Sequence, residues 1–333
     1  MKSLSTPLLS VVIPTHKRPH FLPQAIESAL QVAPDGDVEV IVVPNGSDES
    51  WKQVAESFKS NQGVQWHPIA KAHANAARNE GKRVALGKYL WFLDDDDYLL
   101  SGASKVVELA EREALEICSA PLDLITHDEV FIKKMVFGPI NDFVSSLLSA
   151  QRKTGFQYHL YLRKSISDFW LDESINIGQD THWVHCLCRL RDWRRGRSEE
   201  SGCTWRQHSK SQISAAFSPH QHLKLQERLL WETILCLTHS QRLTAERAQF
   251  AAQGMWSLIH AGYFMSPVYW YPVMKKVQNY FPGTFPDVAL YRTPLCKCIP
   301  PVLMESFMLP KRWLNHYGRQ KMVSRGLKSA WEF

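Results

Sequence analysis

Short apolar runs alternate with segments of helical periodicity along the first hundred residues. Leu8–Pro14 and Val38–Val43 are continuous apolar runs of the kind that form buried parallel strands. We predict strands at residues 8–14, 38–43, 64–66 and 88–93, with helices at 21–30, 49–58 and 72–86 between them. Ser47 or Asp48 is the predicted cap of the second helix. This alternation is typical of βαβ units, so the sequence predicts an α/β fold with a mostly parallel sheet flanked by helices.

The pattern is less regular after residue 100. We predict a helix that Ser101 caps, two further helical segments and three strands: helices at 101–117, within 139–152 and at 181–190, and strands at 124–132, 158–162 and 203–206. The character then changes, because residues 221–260 have helical periodicity and residues 261–333 are rich in aromatic residues and prolines. The sequence therefore predicts one domain over residues 1–215 and a mainly helical C-terminal region over 216–333.

Charge adds two basic clusters to this picture. The chain of 333 residues has a formal net charge of +6. One cluster comprises Arg189, Arg191, Arg194, Arg195 and Arg197, and the other comprises Lys311, Arg312, Arg319, Lys321, Arg325 and Lys328, with no acidic residue between positions 311 and 328. Such clusters favour phosphates, anionic lipid or nucleic acid. A plain solvated face is the alternative for each.

The cysteines and the apolar stretches indicate the compartment. Seven cysteines are present, and the spacings Cys186-x-Cys188 and Cys296-x-Cys298 lack the two-residue gap of common zinc sites. We interpret them as reduced, mostly buried thiols. The N-terminal apolar run is too short for a signal peptide, and no stretch reaches the roughly 20 apolar residues of a spanning helix. We expect a cytoplasmic protein, at most peripheral to the inner face of a membrane.

The most informative stretch is Lys88–Asp97, where apolar residues run directly into four consecutive carboxylates, Asp94–Asp97. A buried strand that ends there places the acids at the carboxyl edge of the sheet, where open α/β sheets bind ligands. Four like charges repel one another, and carboxylate oxygens suit hard divalent cations such as Mg²⁺ or Mn²⁺. The sequence therefore predicts a metal site that accompanies a phosphate. A solvated acidic turn is the simpler alternative.

Two nucleotide-binding signatures are absent from the sequence. There is no G-x-G-x-x-G after a strand and no G-x-x-x-x-G-K-[ST], which argues against a dinucleotide-binding domain and a P-loop. A nucleotidyltransferase also uses clustered acids on an α/β sheet, but it should have a glycine-rich basic signature near the N-terminus. The segment VVIPTHKR contains no glycine.

An ordered set of motifs resembles a known family. The succession VVIPTHKR, VEVIVVPNGSDE, AARNEG, GKYLWFLDDDD, IGQDTHW and WRQHSKSQIS resembles the family 2 glycosyltransferases of the GT-A fold over roughly residues 8–215. The resemblance implies a GT-A type, Rossmann-like sheet, a nucleotide-sugar donor, Mn²⁺ or Mg²⁺, and an inverting displacement at the anomeric carbon. A UDP-sugar is the favoured donor, and a glycan or lipid-linked glycan of surface polysaccharide or glycolipid synthesis is the expected acceptor.

The resemblance also assigns roles to residues. Asp94 and Asp96 stand at the ends of the family's D-x-D motif, which implies that Asp96 is the main metal ligand and that Asp94 faces the metal and the nucleotide. Asp180 matches the family's general base, and His208 matches a histidine that reaches the metal or the diphosphate, with Lys210 beside it. The remaining residues implied to bind the nucleotide-sugar are Thr15, Arg18, Asn45, Arg78, Asp95 and Asp97.

Two positions depart from the family pattern. Pro44 and Asn45 stand where the second strand usually ends in two aspartates, so Asn45 is left to accept one hydrogen bond from the base. Gln179 replaces the glutamate that usually precedes the catalytic aspartate.

Alternatives to the assigned catalytic role and to the enzymatic function stay open. Asp180 alone is compatible with a simple N-cap of the helix from Thr181. A non-catalytic partner subunit with the same fold is compatible with both departures. Residues 216–333 are expected to contact the acceptor, a membrane surface or another copy of the chain, with no nucleic acid as a partner and with the oligomeric state open.

Overall fold

The structure, a computed structural model, describes residues 6–33, 37–207, 218–287, 291, 293 and 298–315. The chain forms two compact units. The first comprises residues 1–147 and 151–216, and the second comprises residues 148–150 and 217–333. The roles predicted for the two parts of the chain stay predictions, and each unit is described by itself below.

A seven-stranded sheet forms the centre of the first unit. Its strands lie in the order β3-β2-β1-β4-β8-β5-β9. The bounds are β1 Leu9–Thr15, β2 Val38–Pro44, β3 Val64–Trp66, β4 Tyr89–Phe92, β5 Ile117–Ser119, β8 His159–Leu162 and β9 Arg195–Arg197. β8 is antiparallel to both neighbours, whereas the other pairs are parallel. The predicted α/β class with a mostly parallel sheet is therefore confirmed.

The sheet core follows from the apolar runs. Every residue of β1, β2 and β4 is buried, because helices cover both faces of a parallel sheet. Helix α3 packs closely on β1 at Gly81. A Cβ atom at Gly81 would lie 2.3 Å from Cγ1 of Val12, so only glycine fits at this helix–strand contact.

The helices follow the predicted order with shifted ends. They are α1 Leu22–Leu30, α2 Trp51–Ser57, α3 Ala74–Val84, α4 Gly102–Arg112, α5 Phe143–Leu148, α6 Gln179–Leu190, α7 Pro219–His239, α8 Ala245–Gly262, α9 Pro267–Tyr280 and α10 Pro301–Phe307. The predicted cap of α2 was wrong. Ser50 occupies the N-cap position, and Asp48 instead accepts a hydrogen bond of 2.9 Å from the backbone N–H of Lys17.

Two predictions after residue 100 need correction. The helix predicted to Ile117 ends at Arg112, Ala114 takes a left-handed φ of 49°, and β5 begins at Ile117. The strand predicted at 124–132 is two antiparallel strands, β6 Leu122–Ile125 and β7 Phe131–Met135. They form a separate three-stranded sheet with β10, Cys203–Arg206. The apolar spacing of these segments did not reveal the turns that divide them.

Three arginines of the first cluster contact other residues of the first unit. Arg191 forms an ion pair of 2.7 Å with Glu116, and Arg197 donates over 2.7 Å to the backbone oxygen of Gly138. Arg195 donates to Ser119 over 2.9 Å from within β9. These three arginines join neighbouring segments of the first unit, and an anionic ligand of the cluster stays a prediction.

The second unit is helical in the described residues. Helices α7, α8 and α9 pack around buried aromatic side chains, among them Trp256 and Trp270. Gly262 at the end of α8 allows α9 to approach closely, because a Cβ atom at Gly262 would lie 2.1 Å from Cε2 of Trp270 on α9. Within the described ranges, none of the helices combines the length and the apolar character that crossing a membrane requires.

Candidate active site

Four carboxylates end the central strand of the first unit. β4 lies between β1 and β8, and the backbone N–H of Leu93 still bonds to Val12 over 3.0 Å. The chain then turns, with the N–H of Asp97 donating to the backbone oxygen of Asp94 over 3.1 Å. The acids therefore stand at the carboxyl edge of the sheet, where the sequence placed them.

Three of the four carboxylates converge. One oxygen from each of Asp94, Asp96 and Asp97 lies within 4.8 Å of the others. The structure thus brings the predicted metal ligands Asp94 and Asp96 together and adds Asp97, which was predicted only to contact the donor sugar. Asp95 does not join this group. It is completely buried and forms an ion pair of 2.7 Å with Arg18.

The electrostatics of the group favour a cation. Burial raises the pKa of Asp97 well above its ordinary value, and the neighbouring charges of Asp96 and Asp94 raise it further. Burial also raises the pKa of Asp95 to about 7, although the Arg18 guanidinium opposes this. Three oxygens of hard, anionic character at this spacing fit Mg²⁺ or Mn²⁺, whose charge offsets the mutual repulsion. The residues present therefore fit the divalent ion that the fold implies.

Arg18 balances part of this negative charge. It is one third exposed, and besides Asp95 it forms an ion pair with the carboxylate of Asp96. Its position one loop beyond β1 brings it to the same edge of the sheet as the acids. Arg18 therefore lies beside the acids, and its predicted contact with the nucleotide stays a prediction.

Two residues that the sequence did not single out hold the acids in place. The amide nitrogen of Gln157 lies 3.0 Å from Asp94 and 2.9 Å from Asp97, so one side chain bridges two carboxylates. Arg206 donates its backbone N–H to Asp97 over 2.7 Å and its Nε to the backbone oxygen of Asp96 over 2.8 Å. Gln157 precedes a predicted strand and carries no local signal of this role. Arg206 is part of the WRQHSKS segment of the resemblance.

Arg78 connects the acids to helix α6. Its Nη2 lies 2.6 Å from Asp94, and its Nη1 donates to the side-chain oxygen of Gln179 over 2.9 Å. The guanidinium is buried and lies 4.2 Å from the ring centroid of Phe156. Arg78 therefore belongs to the site, where a carboxylate and an amide are its partners, and its predicted contact with the nucleotide base stays a prediction.

Asp180 lies in the first turn of α6. The N-cap is Gly178 with a left-handed φ of 70°, and the helix begins at Gln179 rather than Thr181. The alternative that Asp180 is the N-cap was therefore wrong. Its carboxylate is partly exposed and accepts a hydrogen bond of 2.7 Å from the backbone N–H of Thr181. A carboxylate in the first turn of a helix is favoured by the helix dipole.

Thr15 and Asn45 line the same edge at the ends of β1 and β2. The backbone oxygen of Thr15 accepts from both the backbone and the side-chain nitrogen of Asn45, over 3.1 and 2.9 Å. The bond from the side-chain nitrogen fixes the orientation of the Asn45 amide. The side-chain oxygen of Asn45 is then the acceptor that this residue can offer to a ligand. His208 and Lys210 lie outside the described residues, so the predicted contact of His208 with the metal stays a prediction.

The family model Glycosyl transferase family 2 matches residues 10–168. Residues 10–168 form a family 2 glycosyltransferase domain. The resemblance inferred from the motifs is confirmed over these residues, which include the acidic turn Asp94–Asp97 and Arg78. The motifs that contain Asp180 and Arg206 lie outside the matched segment.

Two relatives share parts of this family 2 domain. The chain is similar to "Uncharacterized glycosyltransferase EpsJ" of Bacillus subtilis, with 31% identity over 113 residues, 33% of this chain and 33% of that protein. It is also similar to "GalNAc(5)-diNAcBac-PP-undecaprenol beta-1,3-glucosyltransferase" of Campylobacter jejuni, with 37% identity over 100 residues, 29% of this chain and 32% of that protein. The chain spans about a third of the length of each of these relatives.

A solved structure shows the likeness of the fold. The crystal structure of TarS residues 1–349 from S. aureus in complex with UDP-GlcNAc superposes with a TM-score of 0.63 at 14% identity. The match covers 83% of this chain and 82% of that one. It supports the GT-A type of the family 2 domain and concerns the fold alone.

Proposed function

We propose that the protein is a metal-dependent, inverting glycosyltransferase that moves a sugar from a nucleoside-diphosphate-sugar to an acceptor hydroxyl. The observation that carries this proposal is the convergence of Asp94, Asp96 and Asp97 within 4.8 Å at the carboxyl edge of a family 2 domain. Clustered carboxylates at this edge are where a diphosphate and its cation bind in open α/β sheets.

The three converging carboxylates are the proposed ligands of Mn²⁺ or Mg²⁺. When bound, the ion supplies positive charge that neutralises the leaving diphosphate. Gln157 and Arg206 hold Asp94 and Asp97 in position through the bonds described above. The residues around the ion are thus fixed before a donor arrives.

Asp180 is the proposed general base. The acceptor oxygen attacks the anomeric carbon, the bond from this carbon to the diphosphate oxygen breaks with its electron pair leaving on the diphosphate, and the hydroxyl proton passes to the Asp180 carboxylate. A sugar hydroxyl is almost fully protonated at pH 7, and a positioned base contributes typically about 10²–10⁴-fold to such a step. The partial exposure of Asp180 in the first turn of α6 is compatible with this contact.

The cationic residues and the ends of β1 and β2 would bind the rest of the donor. Arg78 and Arg18 bring two guanidinium groups to the acids, and their charge favours a diphosphate. Thr15 and Asn45 would contact the nucleotide, with the Asn45 side-chain oxygen accepting from the base. Asp95 stays in its ion pair with Arg18 and acts on the donor through it.

The donor and the acceptor are inferred by class. We infer a UDP-sugar as the first donor to test, because the TarS fold holds UDP-GlcNAc. The name of the Campylobacter relative, whose acceptor is an undecaprenol-linked glycan, supports a glycan or lipid-linked acceptor in surface polysaccharide or glycolipid synthesis. Such an acceptor would place the reaction at the cytoplasmic face of a membrane.

Release of free nucleotide tests the proposal. The purified protein is incubated with UDP-, GDP-, dTDP- and CMP-sugars with Mn²⁺ or Mg²⁺, and in parallel with EDTA. We expect slow release from one donor, lost in EDTA and in Asp96→Asn and Asp180→Asn, and retained in the control Asp128→Asn, which removes an exposed carboxylate outside the site.

Other outcomes discriminate among the alternatives. A non-catalytic partner subunit would bind nucleotide but would release none with any acceptor. Its nucleotide binding would be the same in Asp180→Asn as in the parent protein. Release of pyrophosphate from a nucleoside triphosphate and a sugar phosphate would favour a nucleotidyltransferase.

A further inference from the structure

The last described segment of the second unit exposes four apolar side chains. We define the C-terminal stripe as Leu303, Phe307, Trp313 and Leu314, whose exposed fractions are 59, 85, 64 and 69%. Single exposed apolar residues are ordinary, but four within twelve positions form a continuous feature that indicates an interaction surface.

Helical geometry places Leu303, Phe307 and Leu314 together, with Trp313 on the flank of the same helix. α10 ends at Phe307, yet Met308 bonds to Met304 and Arg312 bonds to Met308 over 3.1 Å each, and residues 309–315 are helical again. The spacing of an α-helix is therefore kept through the turn. At about 100° per residue, positions 303, 307 and 314 fall within about 40° of one another.

The opposite face holds the charges of the segment. Glu305 is completely buried and its carboxylate contacts Nδ1 of His260 over 2.9 Å and Nη1 of Arg312 over 2.8 Å. The hydroxyl of Tyr263 lies 3.1 Å from that of Ser306 on the same side. A helix on a water-exposed surface normally turns its apolar residues inward and its charges outward. Here polar contacts fix the helix to α8, and this orientation turns the stripe outward.

The charges beside the C-terminal stripe indicate what kind of partner it binds. Among the exposed residues of 301–315, the only ionisable side chain is the cation of Lys311, beside the stripe. The sequence after it continues with Arg319, Lys321, Arg325 and Lys328 and has no acid up to position 328. Exposed aromatic and aliphatic side chains beside basic residues suit the interface of an anionic bilayer. A second copy of the chain is disfavoured, because two opposed stripes would bring the Lys311 side chains of the two copies toward each other.

We propose that the C-terminal stripe inserts into the interfacial layer of an anionic lipid bilayer and that Lys311 beside the stripe binds the lipid headgroups. This attachment goes beyond the proposed sugar transfer and does not depend on it, since vesicle binding needs no donor and nucleotide release needs no vesicle.

Cosedimentation of the full-length protein with vesicles tests the proposal. Vesicles of phosphatidylcholine with about 30% phosphatidylglycerol are compared with vesicles of phosphatidylcholine alone. Only the first kind carries the negative surface charge that attracts basic residues. We expect binding to the anionic vesicles that weakens at least tenfold in Phe307→Ser/Leu314→Ser. The matched control Val268→Ser, an exposed apolar position of the same unit on α9, should bind like the parent protein.

Charge reversal gives an independent measurement. Lys311→Glu should weaken binding to anionic vesicles several-fold, and added salt should do the same, because both reduce attraction to the headgroups. Circular dichroism checks that each variant is folded. No binding by the parent protein, equal binding to both vesicle types, equal loss in Val268→Ser, or a dimer in solution that Phe307→Ser dissociates would each overturn the proposal.

Discussion

The guanidinium group of Arg78 donates to the side-chain oxygen of Gln179 over 2.9 Å, although 101 positions separate the two residues in the sequence. The same group lies 2.6 Å from Asp94. Arg78 therefore ties the acids at the end of β4 to the first turn of α6, which carries Asp180. The neutral Gln179 accepts one hydrogen bond and leaves Asp94 as the carboxylate that pairs with this arginine.

This double contact predicts that Arg78→Lys impairs the site. An ammonium group cannot reproduce the planar fork that reaches both partners, nor the stacking on Phe156. We expect nucleotide release to fall at least tenfold, as for the loss of a charge-assisted hydrogen bond of about 1.5–3 kcal/mol. The matched control is Arg83→Lys on the same helix, whose side chain is exposed and pairs with Glu80. Equal activity of both variants would contradict the role of Arg78.

Gln157 leads to a prediction about stability. Its amide bridges Asp94 and Asp97, and Gln157→Leu leaves both carboxylates without this donor. We expect the free energy of unfolding in EDTA to fall by about 1–3 kcal/mol, because two hydrogen bonds to carboxylates are lost while Asp94 keeps Arg78 and Asp97 keeps the N–H of Arg206. Urea unfolding measures it. Gln65→Leu is the control, because Gln65 donates to a single carboxylate, Glu39, over 3.0 Å. A smaller loss in Gln157→Leu than in the control would contradict the bridge.

The converging carboxylates predict stabilisation by a metal. Mn²⁺ that binds only the folded state raises its stability by about 2.7 kcal/mol at a hundredfold excess over the dissociation constant. We expect a rise in Tm that EDTA reverses and that Asp96→Asn abolishes, because this change removes one of the three grouped carboxylates. Asp128→Asn should keep the full rise. An unchanged rise in Asp96→Asn would place the ion elsewhere.

The apolar pattern predicted the elements that position the site. β1, β2 and β4 are buried throughout, and the topology of a parallel sheet brings their carboxyl ends to one edge. The apolar pattern predicted no element where a segment has no apolar residues. β9 consists of Arg195, Gly196 and Arg197, and its place in the sheet comes from pairing with β5.

Contacts that span the sequence were beyond prediction. Gln157 lies 63 positions from Asp94 and 60 from Asp97, and nothing in its neighbourhood marks it. Arg78 was found through a motif, but the motif does not state that Gln179 is its partner. Such partners depend on the packing of α3, α6 and the segment before β8, which follows from the whole fold.

His159 predicts how the fold responds to acid. This imidazole on β8 is buried beside Ser119, 2.9 Å from its hydroxyl, and burial lowers its pKa to about 3, with the nearby charge of Arg195 adding to the effect. In the unfolded chain a histidine titrates near 6.5. Between pH 6.5 and about 3 the unfolded state therefore binds one proton more than the folded state. The stability contributed by the neutral imidazole is complete above pH 6.5 and is lost as the pH falls, by up to about 1.4 kcal/mol per pH unit.

The variant His159→Gln should reduce this dependence. We expect the slope of the free energy of unfolding between pH 6.5 and 5, measured by urea unfolding, to fall by about 1 kcal/mol per pH unit. Part of the slope should remain, because burial also lowers the pKa of His185 well below its ordinary value. His127→Gln is the control, since this histidine is exposed on the turn between β6 and β7. The same slope in His159→Gln and in the parent protein would show that His159 takes up its proton without unfolding the first unit.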